Sequence, residues 1–346
     1  MGARVRDAGS VAGRGRERPH PRLAVLAGAV ATLTVTLVAA AAGATGGQEP
    51  KPPQPGSHAQ PPFAVGLRVL QLVDTGRTIR LARGRTEPRT LPTYVRYPAL
   101  GAPGASDLSG APPASVAGPF PLVVFGHGFN VTPALYGSLL QSWTRAGYVV
   151  AAPLFPLARP DAPGGPTESD LVNQPGDMSF VISRLLAASA AGTGPLAGLI
   201  DPARIAVAGQ SDGGVTALAA AYSRRFRDRR VGAAVILSGA ETSGVGGFGF
   251  GPGSPPLLAA QGTADTTNEP RFTYAYFHAA RRPKYLLRLL GAGHLPPYTR
   301  QQPQLGIVER ATIAFLDGYL KRAPGALRRL ASFGNVPGRA ALVAAP

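Results

Sequence analysis

The sequence predicts a doubly wound α/β fold with a mostly parallel central sheet. Uninterrupted apolar runs at residues 121–125 and 231–237 are typical of parallel strands that are buried on both faces. Segments with helix-start and helix-stop residues alternate with these runs, and this order builds a sheet that is covered by helices on both sides. The chain has 346 residues, which is enough for one large α/β domain.

The predicted strands fall into two groups by their residue pattern. The first two alternate between apolar and polar residues, which indicates an antiparallel edge pair. The later ones are continuous apolar runs and are expected in the interior of the sheet. In chain order the predicted strands span residues 63–73, 91–97, 121–125, 148–152, 204–208, 231–237, 257–260 and 285–290.

The predicted helices are recognised by their ends. Thr132 and Pro133 supply an N-cap and a proline at the first helical position, and Gly147 stops the helix that follows them. A second helix opens after Asn173, and an alanine-rich stretch forms a third directly after Ser211. The predicted helices are 133–143, 178–188, the stretch after residue 211, and 306–321.

The first 62 residues differ in composition from the predicted domain. Residues 1–22 are polar and rich in arginine, residues 23–44 are apolar and uncharged, and Ala42-Gly43-Ala44 fits a cleavage pattern of small residues. Residues 1–44 are therefore predicted to be a signal peptide or, if uncleaved, a membrane anchor, which makes the protein secreted or extracytoplasmic. Residues 45–62 are a predicted Pro/Gly-rich linker, 63–335 the folded domain and 336–346 a C-terminal tail.

Composition and charge exclude several classes of site. The chain has no cysteine, so disulfides, thiolate metal sites and a cysteine nucleophile are excluded. The formal net charge is +17, which would attract anionic surfaces, but an arginine-rich, solvated surface is the preferred explanation. The arginine cluster at 224–230 suits the C-terminal end of a helix and lacks the interleaved aromatic residues of a nucleic-acid interface. We therefore predict no nucleic-acid partner.

A nucleophile is predicted at Ser211. It lies in Gly209-Gln210-Ser211-Asp212-Gly213, a G-x-S-x-G pattern between a strand and a helix. Flanking glycines allow a sharp turn that presents the hydroxyl at the end of the strand, and the helix that follows directs free N–H groups to the same place. A serine hydroxyl also needs a base within hydrogen-bond reach, and the base needs an orienting acid.

The candidate base is His294 and the candidate acid is Asp265. His294 follows the last predicted strand in a loop rich in glycine and proline, whereas His278 is expected on a helix surface. Asp265 follows the preceding strand, which gives the chain order of serine, acid and histidine. Glu241, just past the strand ending at Leu237, is the alternative acid.

Two backbone N–H groups are predicted to bind the oxyanion. The first belongs to Asp212, the residue after the nucleophile, and the second to Phe129 in the turn Gly126-His127-Gly128-Phe129. The Asp212 carboxylate is expected to turn outward, because it would otherwise lie near developing negative charge.

These motifs resemble those of the α/β-hydrolase superfamily. Further segments resemble the branch that holds platelet-activating-factor acetylhydrolases, chlorophyllases and bacterial cutinase-like polyester hydrolases. The resemblance covers about residues 63–335 and implies hydrolysis of carboxylic esters without a metal or an organic cofactor. The sequence departs from the branch at Gln210, where histidine is commoner. The segments that carry the resemblance are 124–129, 209–214, 262–265 and 293–294, and for the branch 74–77, 89–98 and 173–177.

The resemblance implies an exported serine hydrolase that acts on a small-molecule, lipid or polymeric ester through an acyl-enzyme. An amidase or peptidase on the same triad and a non-catalytic envelope-binding protein on this scaffold are the alternatives. The connection between the strands at 231–237 and 257–260 is too short for a large cap domain. We expect an open, apolar-rimmed cleft, with Phe248 and Phe250 on a neighbouring loop.

Overall fold

The computed structural model of the protein describes residues 61–346. The predicted signal or anchor segment, and all of the predicted linker except Pro61 and Pro62, lie outside the described residues. None of the described helices is long and apolar enough to cross a bilayer.

The described residues form a single sheet of ten strands, and its middle part is parallel. The strand order is β10-β9-β8-β7-β6-β4-β5-β2-β1-β3, and the six strands from β9 to β5 run parallel to one another. The strands are β1 (Ala64–Arg80), β2 (Thr86–Ala99), β3 (Leu108–Ser109), β4 (Phe120–Gly126), β5 (Val149–Pro153), β6 (Ile200–Gln210), β7 (Val231–Leu237), β8 (Leu257–Gly262), β9 (Lys284–Leu289) and β10 (Ala340–Ala345).

Helices cover both faces of the sheet, as the sequence predicts. Successive residues of β4 point to opposite sides, so that Leu122 and Val124 join one buried cluster and Val123 and Phe125 join the other. The first cluster includes residues of α2, α3 and α4, and the second includes residues of α1, α5, α6 and α7. The helices are α1 (Gly137–Arg145), α2 (Gln174–Ala190), α3 (Asp212–Tyr222), α4 (Pro270–Ala279), α5 (Pro296–Thr299), α6 (Gln304–Tyr319) and α7 (Ala326–Gly334).

The two strands predicted to form an antiparallel pair do so, and they are longer than expected. β1 pairs with β2 from Ala64 opposite Ala99 to Arg80 opposite Thr86, and β2 pairs antiparallel with β5. The strands continue past the segments of alternating residues because the backbone N–H and C=O groups of each strand bond to those of the other.

β10 contradicts the predicted C-terminal tail. Residues Ala340–Ala345 pair antiparallel with β9, with Ala340 opposite Leu289 and Ala345 opposite Lys284. The strand contains four alanines and has weak alternation, so it depends on its partner rather than on its own residue pattern. The predicted boundary at residue 335 is therefore wrong, and the domain extends to Ala345.

A buried ion cluster joins β2 to α2 and to the short 3₁₀ helix Glu168–Asn173 before it. Arg89 Nε donates to Asp177 at 2.6 Å, and Arg89 Nη1 donates to Asp170 at 2.8 Å. All three side chains are buried. Burial alone would lower the pKa of Arg89, but hydrogen bonds and charge attraction from the two carboxylates raise it above its usual value. The guanidinium therefore stays charged and fixes the segment that precedes α2.

Candidate active site

Ser211 lies on a strained turn between β6 and α3. Its backbone has φ of 56° and ψ of −122°, in a region that non-glycine residues rarely adopt. The Ser211 N–H donates to Leu237 O of the neighbouring strand at 3.0 Å, and its carbonyl accepts from Val215 N–H as the first bond of the helix. These two bonds hold the turn in a conformation that exposes the hydroxyl at the carboxyl edge of the sheet.

The turn requires its glycines because backbones cross there without room for side chains. A Cβ atom at Gly209 would lie 2.0 Å from the carbonyl oxygen of Gly213. A Cβ at Gly213 would lie 2.0 Å from the carbonyl oxygen of Gly126, at the end of β4. The G-x-S-x-G spacing therefore allows α3 to begin directly against β4 and β6.

The structure brings the three predicted triad residues together. His294 Nε2 is 2.9 Å from Ser211 Oγ, and His294 Nδ1 is 2.8 Å from Asp265 Oδ2. His294 lies between β9 and α5, and Asp265 follows β8. Asp265 rather than the alternative Glu241 contacts the imidazole, and Glu241 is exposed.

Four hydrogen bonds surround the Asp265 carboxylate. Its Oδ1 accepts from the backbone N–H groups of Thr267 and Asn268, each at 2.9 Å. Its Oδ2 accepts from Gln261 Nε2 at 3.1 Å as well as from His294. Burial by itself would raise the pKa of Asp265, but its contacts with His294 and the backbone donors lower it. An ionised Asp265 keeps the proton of neutral His294 on Nδ1 and leaves the Nε2 lone pair facing Ser211.

The loop after β4 is fixed by His127, which is fully buried. Its Nδ1 donates to Gly128 O at 2.8 Å, and its Nε2 accepts from the Phe155 N–H at 3.0 Å. Burial lowers the pKa of His127 to about 4, so the ring is neutral and has this one tautomer at neutral pH. His127 therefore shapes the loop and does not act as a second base.

The same loop lies against the nucleophile. A Cβ at Gly128 would lie 3.3 Å from Ser211 Cβ. Among the described residues, no acceptor takes a hydrogen bond from the N–H of Phe129 or from that of Asp212. Both predicted donors thus remain available at the turn, at the end of β4 and at the start of α3.

The Asp212 side chain contradicts the expectation that it turns outward. Its Oδ2 is buried and has no hydrogen-bond partner in the part of the chain that the structure describes, and the carboxylate lies within electrostatic reach of Glu168 and His294. Burial, followed by repulsion from Glu168, raises the pKa of Asp212 to about 6, although His294 opposes the shift. Asp212 as a whole is half-buried, so its carboxylate is partly enclosed at the start of α3 instead of fully solvated.

The loop between β7 and β8 contains no cap, but its phenylalanines do not line the cleft. Phe250 packs on Tyr222 with ring centroids 4.9 Å apart, and Phe248 forms a β-bridge with Ser223. Both contacts lie at the C-terminal end of α3, whereas Ser211 lies at its N-terminal end. The two rings therefore cover the far end of α3, and the prediction that they neighbour the cleft is wrong.

Three buried polar residues next to the triad were not predicted as site residues: Gln210, Tyr136 and Gln261. Gln210 and Gln261 could have been noticed, because each is a polar residue at the end of an apolar strand. Tyr136 carries no such pattern, because it reaches the site only through the fold.

The strand order, the turn at Ser211 and the position of His294 after the last parallel strand define an α/β-hydrolase fold. The fold class predicted from the sequence, a doubly wound and mostly parallel sheet, is confirmed.

A family model described as Chlorophyllase matches residues 105–236. This segment contains Gly128 and Ser211 and ends before Asp265 and His294. A solved structure of a ferulic acid esterase from Streptomyces cinnamoneus has 23% sequence identity and a TM-score of 0.55, covering 77% of this chain and 92% of that one. No curated protein sequence matches the chain.

Proposed function

We propose that this protein is an exported serine hydrolase that cleaves carboxylic esters. The observation that carries the proposal is the continuous line of hydrogen bonds from Asp265 through His294 to the Ser211 hydroxyl. The matching chlorophyllase model and the similar fold of a ferulic acid esterase support an ester as the bond that is cleaved. Export rests on the predicted signal or anchor at residues 1–44, and intact mass of the extracellular protein tests its cleavage.

The reaction proceeds in two halves on one nucleophile. Ser211 Oγ attacks the ester carbonyl while His294 Nε2 takes the hydroxyl proton, and the C–O double-bond electrons move to oxygen. When the tetrahedral intermediate collapses, the alkoxy oxygen leaves with the proton from His294, and the acyl group stays on Ser211. Water then attacks the acyl carbon while His294 takes its proton. The bond between the acyl carbon and Ser211 Oγ breaks, His294 returns the proton to Ser211 Oγ, and the carboxylic acid leaves.

Electrostatic contributions come from the backbone and from Asp265. The N–H groups of Phe129 and Asp212 donate to the oxyanion, where each donor stabilises charge that develops only in the transition state. Asp265 stays ionised, holds the imidazole orientation and stabilises the imidazolium that forms. The substrate is a small-molecule, lipid or polymeric ester.

The test is turnover of a p-nitrophenyl ester by Ser211→Ala, with Ser142→Ala as the control. Ser142 is a half-buried serine on α1 whose hydroxyl donates to the Leu139 carbonyl of the same helix, and this is the one hydrogen bond of that hydroxyl among the described residues. We expect Ser211→Ala to abolish turnover and fluorophosphonate labelling, and Ser142→Ala to retain both. Unchanged turnover in Ser211→Ala would overturn the proposal. Matched ester and anilide substrates then separate an esterase from an amidase.

A further inference from the structure

Gln210 is a buried amide directly before the nucleophile. It is the last residue of β6, and its side chain is 1% exposed. A primary amide has two N–H donors and a carbonyl acceptor, and burial makes each unsatisfied group costly. The partners of this amide therefore decide what it does at the site.

The chemistry of those partners fixes the direction of the hydrogen bonds. His294 O can only accept, and it lies 3.1 Å from Gln210 Nε2, so the amide nitrogen faces His294. Gln210 Oε1 consequently faces Tyr136, whose hydroxyl donates to it at 2.7 Å. The Tyr136 oxygen in turn accepts from the N–H of Gly128 at 3.2 Å. Burial raises the pKa of Tyr136 above its usual value, which keeps this hydroxyl protonated and able to donate.

The amide nitrogen also approaches the reactive nitrogen of the base. Gln210 Nε2 is 3.3 Å from His294 Nε2, which has its lone pair free while Asp265 holds the proton on Nδ1. Ser211 and Gln210 are thus two donors to the same lone pair. The charged groups that face this imidazole are Asp265 on the opposite ring nitrogen and Asp212 on α3.

We propose that Gln210, oriented by Tyr136, is a positioning residue that holds His294 against Ser211 and couples the oxyanion loop to the base. The inference rests on the proposed function. Through the His294 carbonyl, Gln210 fixes the loop that carries the base, and through its N–H it supports the neutral ring.

The loop after β4 is shaped for this contact. A Cβ at Gly128 would lie 3.0 Å from Gln210 Oε1 and 3.2 Å from the Tyr136 oxygen. The glycine therefore lets the backbone approach the pair closely enough for its N–H to bond with Tyr136.

The test is a double-mutant cycle of Gln210→Met and Tyr136→Phe, with kcat, KM and the pH profile of kcat/KM measured on a p-nitrophenyl ester. Methionine matches glutamine in length without hydrogen bonds. Because small displacements of a base are costly, we expect Gln210→Met to lower kcat by about 10- to 100-fold with KM nearly unchanged. Loss of a donor to the neutral ring moves the acid limb of the profile to higher pH.

Coupling between the two substitutions is the second readout. If Tyr136 acts only by orienting Gln210, Tyr136→Phe lowers kcat in the wild-type background and has little further effect in Gln210→Met. Additive effects on kcat would overturn the inference, and so would a wild-type kcat and acid limb in either single variant. Tyr136→Phe removes one oxygen atom and provides the test if Gln210→Met fails to fold.

Gln174→Met is the matched control. Gln174 is also 1% exposed and accepts from the Thr216 hydroxyl at 2.7 Å, but it makes no hydrogen bond to Ser211, Asp265 or His294. We expect it to lower thermal stability and to leave kcat and the acid limb unchanged.

Ser211→Ala separates the two proposals. If it abolishes turnover while the Gln210 and Tyr136 variants behave like the wild type, the proposed function stands and the positioning role of Gln210 fails.

Discussion

Gln261 donates a hydrogen bond of 3.1 Å to Asp265 Oδ2, the same oxygen that accepts from His294 Nδ1. The Gln261 amide also donates to Asn268 O, and its Oε1 accepts from the Thr273 hydroxyl at 2.6 Å. Because the amide is buried and satisfied on both sides, it cannot rotate without losing partners. The orientation of the Asp265 carboxylate is therefore fixed by these neighbours independently of its bond to His294.

Gln261→Met tests whether Gln261 acts through its hydrogen bond to Asp265 or only by filling space in the core. With Oδ2 less constrained, we expect kcat to fall by about 10-fold with little change in KM. Stability should fall by about 1–3 kcal/mol, because Thr273 and the Asn268 carbonyl lose a partner. Steady-state kinetics and urea unfolding measure the two effects. Gln174→Met is the control, since it removes another buried amide that makes no hydrogen bond to Gln261 or Asp265, and an equal loss of kcat there would argue against a specific role for Gln261.

Asp265→Asn tests which carboxylate orients the base. An asparagine would offer an N–H to Nδ1 and favour the wrong tautomer, so we expect kcat to fall by about 10³- to 10⁴-fold. Glu241→Gln should stay within about twofold of wild type, because Glu241 is exposed and outside hydrogen-bond reach of His294. Turnover of one ester by both variants at pH 8 decides the matter, and a larger loss in the Glu241 variant would reverse the assignment.

Asp212→Asn should stabilise the protein at neutral and alkaline pH. Burial and repulsion from Glu168 raise the pKa of this carboxyl in the native state to about 6, from an ordinary value of 3.8. The native state therefore binds more protons than the unfolded state between these values, and the ionised group is destabilising above about pH 6. We expect a gain of about 1–3 kcal/mol at pH 8 that disappears as the pH falls to about 4.

Urea unfolding of the wild type and of Asp212→Asn at both pH values provides the measurement. An equal gain at pH 8 and at pH 4 would show that charge is not the cause. The backbone N–H of residue 212 is unchanged in this variant, so binding of the oxyanion should persist.

Arg89→Met tests the buried ion cluster. Removal of the guanidinium leaves Asp170 and Asp177 buried without their main partner, and we expect a loss of about 3–5 kcal/mol. Arg85→Met is the surface control, because Arg85 and Glu87 are 70% and 48% exposed and their pair should contribute less than about 1 kcal/mol. Urea unfolding at pH 7 measures both, and similar losses in the two variants would contradict a special role for the cluster.

The sequence was most informative where local pattern and burial agree. The bounds of β7 coincide with the predicted strand at 231–237. The apolar run has the length of one strand, and its residues lie in the interior of the sheet. The order of Ser211, Asp265 and His294 could be predicted from strand ends, since parallel strands bring their carboxyl ends to one edge.

Features that depend on distant partners could not be predicted. β10 has little alternation and exists as a strand through its pairing with β9. The raised pKa of Asp212 follows from burial and from repulsion by Glu168, which lies far from it in the chain. Gln210 and Tyr136 are hydrogen-bonded although they are 74 positions apart in the sequence, so no local pattern predicts the pair.

The strand at the C-terminal end has a consequence for how the protein can be handled. β10 covers the outer edge of β9 with backbone hydrogen bonds along six residues. Cutting the chain at residue 335 would leave that edge open as a template for strands of other molecules, and open edges promote aggregation. Shortened versions of this protein should therefore keep Ala345, and affinity tags belong beyond it.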